Sequence, residues 1–274
     1  MREFPRIKEP VEDISIYDLG LETSSRAMRS VVLKRVMFGD DRPNVRIIRI
    51  NDAVFEKCIF NHQEIQLINF SNCKFISCEF NGARFKSNEF HKCTFINTLL
   101  YKPTFEDTYL DPKSFQFDLY WLRYFANINV GLFQALYRNF KDMHQDKFAM
   151  EADKKFLLYK KYNYLFGRRK RYGSFLFSQG YNVLLGSGYG IVNATVFTAL
   201  GILLFAWLID GHLVDQKGFL EALYFAVVSF TTVGYGDLKP EMQWAPLALT
   251  MFFIMTSVIW CAIVTAIAVK RIVK

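Results

Sequence analysis

The chain has 274 residues, of which 51% are hydrophobic, and it carries a formal net charge of +8. With a mean hydropathy just above zero, this composition indicates a chain that is part soluble and part membrane-embedded. The basic excess lies largely beside the apolar runs near the C-terminus. A lipid surface explains that excess better than nucleic acid does, and we expect no nucleic-acid partner.

The first 44 residues are predicted to form a separate N-terminal segment with one short helix. The helix candidate is Ser24–Phe38, which ends at Gly39. Met1–Pro10 is charged and contains proline, so we do not expect a secretory signal there.

Residues 45–116 follow a five-residue period, which fits neither a helix nor an ordinary strand. A small residue, such as Ala53 or Cys58, stands two positions before many of the large apolar residues that mark the period. The large residues occupy thirteen consecutive positions: Phe55, Phe60, Ile65, Phe70, Phe75, Phe80, Phe85, Phe90, Phe95, Leu100, Phe105, Leu110 and Phe115.

This pattern resembles the pentapeptide-repeat family. The resemblance implies a right-handed, four-sided β-solenoid with twenty residues per coil, in which each coil contacts only its neighbours. It also suggests a scaffold or sensor that binds an unidentified cytoplasmic ligand or protein. Residues 45–115 hold nine basic and eight acidic residues, and this near balance argues against mimicry of duplex DNA.

The repeat register makes predictions about individual positions. Cys58 and Cys78 should stack one coil apart, as should Cys73 and Cys93. Each pair either forms a disulfide or binds a metal, or consists of free cysteines that pack as small buried apolar side chains. A reducing cytoplasm favours the free cysteines. Bulky residues at four small-residue positions predict local bulging of the coil. They are Gln63, Ile68, Asn88 and Pro103.

Residues 117–171 are predicted to form a helical linker that caps the solenoid. Apolar residues recur at helical spacing from Val130 to Phe140 and from Phe148 to Tyr162, which indicates a helical hairpin over the open strand edges. The basic end of this linker is a candidate site for anionic lipid headgroups, or else a plain topology signal. Its basic residues are Arg168, Arg169, Lys170 and Arg171.

Residues 172–190 form an uncharged, aromatic and leucine-rich segment that we expect to lie along the membrane surface. Residues 191–209 and 244–269 carry no charge and are long enough to span a bilayer. Basic residues flank the two spans on their outer sides, and acidic residues dominate between them. The positive-inside rule therefore predicts a multi-pass protein of the cell membrane with both termini in the cytoplasm.

Between the spans lies Thr231-Thr232-Val233-Gly234-Tyr235-Gly236-Asp237, or TTVGYGD. Residues 219–231, which end at the first threonine of this run, are largely apolar, too short to span a bilayer and suited to a re-entrant pore helix. Because glycine adopts positive φ without steric cost, Gly234 and Gly236 allow a ribbon whose carbonyl oxygens point to one axis.

This run in this setting resembles the selectivity filter of two-span potassium channels, over about residues 190–274. The resemblance implies a homotetramer with the filter at 232–236, where the main-chain carbonyls of Thr232, Val233, Gly234 and Tyr235 replace the water around K⁺. Thr231 and Asp237 would support the filter. K⁺ is then the permeant ion, and no cofactor is expected. Helical spacing alone nominates four pore-lining residues, which are Ile259, Ile263, Ala266 and Lys270.

Two features depart from the family pattern. Met251–Lys274 contains no glycine hinge, and Ala226–Ser229 places no carboxylate behind the filter. The predicted fold class is a multi-domain membrane protein with a cytoplasmic β-solenoid, an α-helical linker and an all-α two-span pore, residues 191–274. We expect a potassium channel and not an enzyme. The alternatives are a poorly selective cation pore and a membrane-anchored scaffold with a silent pore.

Overall fold

A computed structural model describes residues 12–13, 27–29, 31–32, 47–214 and 218–272. The chain divides into two compact units, Met1–Leu176 and Phe177–Lys274. Within the described residues the strands are β1 (Glu12–Asp13), β2 (Ala27–Arg29), β3 (Val31–Val32), β4 (Ile48–Asn51), β5 (Val54–Glu56), β6 (Glu64–Gln66), β7 (Ile68–Ser71), β8 (Lys74–Ile76), β9 (Arg84–Lys86), β10 (Glu89–His91), β11 (Thr94–Ile96), β12 (Thr104–Glu106), β13 (Tyr109–Leu110) and β14 (Phe115–Gln116). The α-helices are α1 (Leu119–Tyr124), α2 (Ala126–Asp142), α3 (Asp146–Phe166), α4 (Tyr172–Leu185), α5 (Ile191–Ile209), α6 (Phe219–Phe230) and α7 (Trp244–Ile272).

Strands β4 to β14 build the four-sided β-solenoid that the resemblance to pentapeptide repeats implies. Strands one coil apart pair in parallel, so that Phe55 faces Phe75 and Phe75 faces Phe95. Three faces are ladders of this kind, and isolated parallel bridges through Glu79 make the fourth. The repeat of twenty residues thus sets the register on every face.

The large residue of each repeat fills the axis of the coil. The rings of Phe55, Phe75, Phe95 and Phe115 form one column, with centroids 4.9, 4.7 and 4.8 Å apart. These separations match the spacing of neighbouring strands, so rings on successive coils stack without displacing the backbone. Burial of this column removes a large apolar area from water and is the main stabilising contribution along the axis.

The corner after each large residue uses a left-handed backbone, which the sequence pattern did not reveal. Placing a non-glycine residue there costs about 1–2 kcal/mol. Backbone hydrogen bonds to the next coil offset this cost, as where the N–H of Lys57 donates to the carbonyl of Ile76 at 2.9 Å. Positive φ recurs at Asp52, Lys57, His62, Leu67, Asn72, Ser77, Gly82, Ser87, Lys92, Asn97, Lys102 and Asp107.

The bulging predicted at bulky small-residue positions is wrong for the strand pairs that the structure describes. Ile65 pairs with Phe85 and Phe85 with Phe105, so the spacing of twenty is kept on this face. The bulky side chains are instead buried in the coil. Asn88 is accommodated because its amide accepts from the N–H of Ile68 at 3.0 Å and donates to the carbonyl of Ile65 at 2.7 Å.

The solenoid cysteines are buried free thiols, and each pair is stacked as the register predicts. The thiol of Cys78 donates to the carbonyl of Phe55 at 3.2 Å, and the hydroxyl of Thr98, one coil later, donates to the carbonyl of Phe75 at 3.0 Å. Cysteine here therefore does the work of a small buried hydrogen-bond donor. Burial raises the pKa of the Cys78 thiol well above its usual value, which keeps the thiol protonated and unreactive.

The helix predicted over Ser24–Phe38 is wrong where this segment is described. β2 pairs in parallel with β5, and β3 pairs with β1. Short apolar runs do not distinguish helix from strand by periodicity, and the open edge of a coil offers backbone groups that favour a strand. The other residues of the predicted helix lie outside the described residues.

The helical linker closes the C-terminal end of the solenoid, as expected, with α2 and α3 joined by residues 143–145. Phe133 of α2 packs edge-on against Phe115 at 5.8 Å. Asn139 accepts from the N–H of Thr108 at 3.1 Å and donates to its carbonyl at 2.7 Å. The ammonium of Lys155, whose pKa burial lowers, donates to the carbonyl of Phe115 at 3.2 Å. The cap thus bonds backbone groups that an open edge would leave unpaired.

The C-terminal unit holds, among the described residues, two helices long and apolar enough to cross a membrane: α5 and the part of α7 from Trp244 to Val269. Only 17% and 11% of these apolar segments are buried within the chain, the reverse of a core helix in a soluble protein. Helix α6 packs between them around Phe205, Ala222 and Ala226, and the ring of Phe205 stacks on that of Phe253 at 3.8 Å.

Candidate functional site

Helix α6 ends in a Schellman turn that leads directly into the TTVGYGD run. The N–H of Val233 donates to the carbonyl five residues earlier at 3.1 Å, and the N–H of Thr232 donates to the carbonyl three residues earlier at 3.2 Å. The hydroxyl of Thr231 also donates to the carbonyl of Val227, at 2.9 Å. Because the last carbonyls of α6 are bonded in this way, the following chain starts from a fixed position.

Left-handed backbone recurs at every second residue of the run. The φ angles are 57° at Thr232, 59° at Gly234 and 78° at Gly236, whereas Val233 and Tyr235 lie outside the positive region. Alternating handedness turns successive carbonyl groups of an extended ribbon toward one side, unlike in a regular strand. A β-branched residue at positive φ is strained, and strain of this kind clusters at functional sites.

The carboxylate of Asp237 is tied to α6. It accepts a hydrogen bond from the hydroxyl of Tyr224. The bond joins the residue after the ribbon to the helix before it, so it holds the ribbon against α6. The sequence predicted a supporting role for Asp237 but not for Tyr224. The polar hydroxyl of Tyr224 in a helix of mostly apolar side chains was the feature that could have indicated it.

The loops on either side of α6 and the ribbon are fastened to each other. The N–H of Val214 donates to the carbonyl of Lys239 at 2.9 Å, and the N–H of Glu241 donates to the carbonyl of His212 at 2.8 Å. These bonds flank an antiparallel bridge between Leu213 and Pro240. The segment that follows α5 and the segment that follows the ribbon therefore form one connected rim.

The two apolar helices share a polar contact. The indole N–H of Trp260 on α7 donates to the hydroxyl of Thr198 on α5 at 2.7 Å, and that hydroxyl donates to the carbonyl of Ala194 at 2.8 Å. Such a bond is specific in an apolar surrounding, where no water competes for either group. The bond fixes the rotation of α7 about its axis relative to α5. Helix α7 contains no glycine at which it could bend.

The ribbon is not covered by any of the residues that the structure describes. Every residue from 231 to 237 is exposed, including Val233 at 52% and Tyr235 at 71%. Helix α7 likewise exposes Met251, Met255 and Ile259. A large exposed apolar surface beside a strained ribbon indicates contacts with something outside the chain.

The four pore-lining candidates remain predictions. Ile259, Ile263 and Ala266 lie on the part of α7 that is exposed in one chain, and Lys270 lies near the end of that helix. Val258 and Thr265 are also exposed. Exposure within one chain therefore does not single out one stripe of α7.

The four basic residues predicted to contact lipid connect α3 to α4 and are exposed. The backbone N–H of Arg171 donates to the carbonyl of Tyr164 at 2.9 Å, and its guanidinium lies 5.5 Å from the centre of the Tyr164 ring. The last residue of the basic run is thus held against α3. Its contact with lipid remains a prediction.

Residues 194–274 match the sequence model of the ion channel family. No curated protein matches the chain. The matched residues contain nearly all of α5, all of α6 and α7, and the strained ribbon between α6 and α7. Together with the two apolar helices, this match supports an ion channel in a membrane. The solenoid and its helical cap lie outside the matched residues.

Proposed function

We propose that the chain is one subunit of a homotetrameric, potassium-selective channel. The observation that carries this proposal is the alternation of left-handed backbone at Thr232, Gly234 and Gly236, in a ribbon held between a short helix and a second span. Four such ribbons around one axis would offer successive rings of carbonyl oxygens. Rings of this kind replace the hydration shell of K⁺ and let neighbouring ions displace each other.

The neighbouring residues supply the remaining parts of the conduction path. The C-terminus of α6 directs a partial negative charge toward the position of the dehydrating ion. The Thr232 hydroxyl adds an oxygen at the inner end of the ribbon. Asp237, through its bond to Tyr224, resists collapse or widening of the ribbon as ions pass. The role is conduction and not catalysis, and K⁺ is the permeant ion.

The tetramer is supported by what one chain leaves uncovered. A single ribbon cannot surround an ion, and the ribbon and part of α7 are exposed in the isolated chain. Four copies would place each ribbon beside its neighbours and cover this surface. The burial of apolar side chains between subunits would then hold the ribbons at the separation that an ion needs.

The soluble unit has a regulatory or assembly role in this proposal, with both termini in the cytoplasm and the basic residues 168–171 at anionic lipid. A cytoplasmic ligand or protein would act on the solenoid. Deleting residues 1–115 should change the open probability and leave the preference for K⁺ over Na⁺ intact. An altered ion preference after this deletion would contradict the separation of roles.

Flux into proteoliposomes tests the central claim. Purified protein in vesicles should pass K⁺ and exclude Na⁺ under equal gradients, and crosslinking should give a species of four chains. Comparable K⁺ and Na⁺ flux would favour a poorly selective cation pore. Reconstituted tetramers that pass no ion under any condition would favour a membrane-anchored scaffold with a silent pore.

A further inference from the structure

Helix α1 buries Trp121 and exposes Leu119, Tyr120 and Tyr124. Trp121 is 4% exposed and packs with Leu99 and Phe125. Leu119 on the outer side is 83% exposed, and Tyr120 is 44% exposed. An exposed leucine next to exposed tyrosines on a helix that is already anchored indicates a surface that something else covers.

The end of α3 extends this surface. The guanidinium of Arg123 lies 5.5 Å from the ring centre of Tyr124 and 5.8 Å from that of Phe166. Phe166 is the last residue of α3, is 42% exposed and precedes the basic run by two positions. Arg123 therefore joins the aromatic residues of α1 to the end of α3 in a single patch.

The patch is rich in positive charge. Arg123 and the exposed run at 168–171 contribute five basic side chains. The acidic residue that precedes α1, Asp118, is engaged by Asn97, which donates to its carboxylate at 2.6 Å. We call this surface the aromatic–basic face, defined as Leu119, Tyr120, Arg123, Tyr124, Phe166 and residues 168–171.

We propose that the aromatic–basic face docks on the anionic surface of the bilayer. Tyrosine and phenylalanine rings and a leucine suit the headgroup boundary, and the basic side chains suit acidic lipids. The chain enters its first apolar span at Ile191, soon after residue 171, so a bilayer is the nearest large anionic surface. The inference rests on the membrane placement in the proposed function but not on selectivity for potassium.

A fluorescent label at Leu119 tests the docking in the full chain. Cys261, exposed on α7, is first replaced by serine so that it cannot take the label, whereas the four solenoid thiols are buried. NBD is then attached to Leu119→Cys, and the matched control carries NBD at Glu64→Cys, an exposed position on strand β6. Both proteins are reconstituted into phosphatidylcholine vesicles with and without phosphatidylglycerol.

The label at position 119 should shift to shorter wavelength and be quenched by lipids brominated on their chains, in the vesicles that contain phosphatidylglycerol. Both effects should be lost when residues 168–171 are replaced by glutamine. They should also fade in 1 M salt, where charges are screened over about 3 Å. The label at position 64 should remain in water throughout.

A second readout avoids the label. Tryptic cleavage at residues 168–171 of the otherwise unmodified chain should be slowed in vesicles with phosphatidylglycerol, and Leu119→Glu should restore fast cleavage although every basic residue remains. The exposure of Leu119 makes this substitution compatible with folding.

Two outcomes would overturn the proposal. One is a label at position 119 that stays in water in both kinds of vesicle. The other is a shift that persists in detergent micelles and in the glutamine variant, which would mean that another protein surface covers the face. K⁺ and Na⁺ flux measured on the same vesicles reports separately on the proposed channel function.

Discussion

Replacing Gly234 by alanine is the sharpest test of the ribbon. Its φ of 59° lies in the left-handed region, and an added Cβ would meet no atom within 4 Å in the chain. The backbone conformation, and not a clash, therefore sets the cost, about 1–2 kcal/mol per residue. Four copies around one axis give about 4–8 kcal/mol. Rotation of the peptide relieves this strain and turns a carbonyl away from the ion. We expect K⁺ current in planar bilayers to be lost while the tetramer persists on size-exclusion chromatography.

Gly211 provides a matched control. It has a φ of 79° and equal space around its Cα, but it lies in the loop after α5 and outside the ribbon. Gly211→Ala imposes a similar backbone strain and should leave K⁺ selectivity and conductance unchanged. Undiminished K⁺ current in Gly234→Ala would refute the assignment of the ribbon as the filter. An equal loss of current in the two variants would show that backbone strain anywhere in this unit is enough to abolish K⁺ current.

Phe75→Ala should destabilise the N-terminal unit by about 3–5 kcal/mol, because the Phe75 ring is buried and stacked on both sides. Phe105→Ala should cost less, because the Phe105 ring is partly exposed and stacks on Phe85. Thermal unfolding of the two variants compares these costs. Burial raises the pKa of the Tyr159 phenol to about 12, so this phenol ionises at lower pH in the unfolded chain than in the folded chain. The stability that the neutral phenol contributes is present below about pH 10 and should be lost as the pH rises to about 12. Tyr159→Phe should remove this step from an alkaline unfolding curve. Trp260→Phe and Thr198→Val each remove the same hydrogen bond, worth about 0.6–2 kcal/mol, and should change open probability without changing conductance. Single-channel recording of the double variant should show no further change, and fully additive effects would contradict the shared bond.

The repeat and the two apolar helices were readable from sequence because each depends on a pattern within one continuous stretch of the chain. A large apolar residue at every fifth position is the pattern of pentapeptide repeats, and that resemblance implies a wound chain in which Phe55 stacks on Phe75. The two apolar helices are recognised by their length and by the absence of charge, the two features that a candidate membrane span requires. The C-terminal cap was also predictable, since an open coil edge demands a cover and the next residues are amphipathic.

Other features could not be predicted because they depend on contacts between residues that are distant in the sequence. The N-terminal strand β2 exists because the neighbouring coil offers a free edge, and its own sequence is compatible with a helix. The absence of bulging depends on Asn88 finding two backbone partners in the previous coil. The bond between Tyr224 and Asp237 joins residues on either side of a turn whose geometry sequence spacing does not supply.

The amino-acid order alone therefore determined the five-residue repeat of the N-terminal unit, the two helices long and apolar enough to cross a membrane, and the position of the glycine-containing ribbon. These follow from local periodicity and from the cost of placing charge or unpaired backbone in the wrong medium. Only the folded chain decided that Thr232 adopts a left-handed backbone, that Trp260 bonds to Thr198, and that Arg123 joins the outer side of α1 to the end of α3. The conformation of Thr232 depends on the turn that ends α6. The other two contacts depend on the angle at which separate segments pack, and that angle is set by the whole core and not by any one segment.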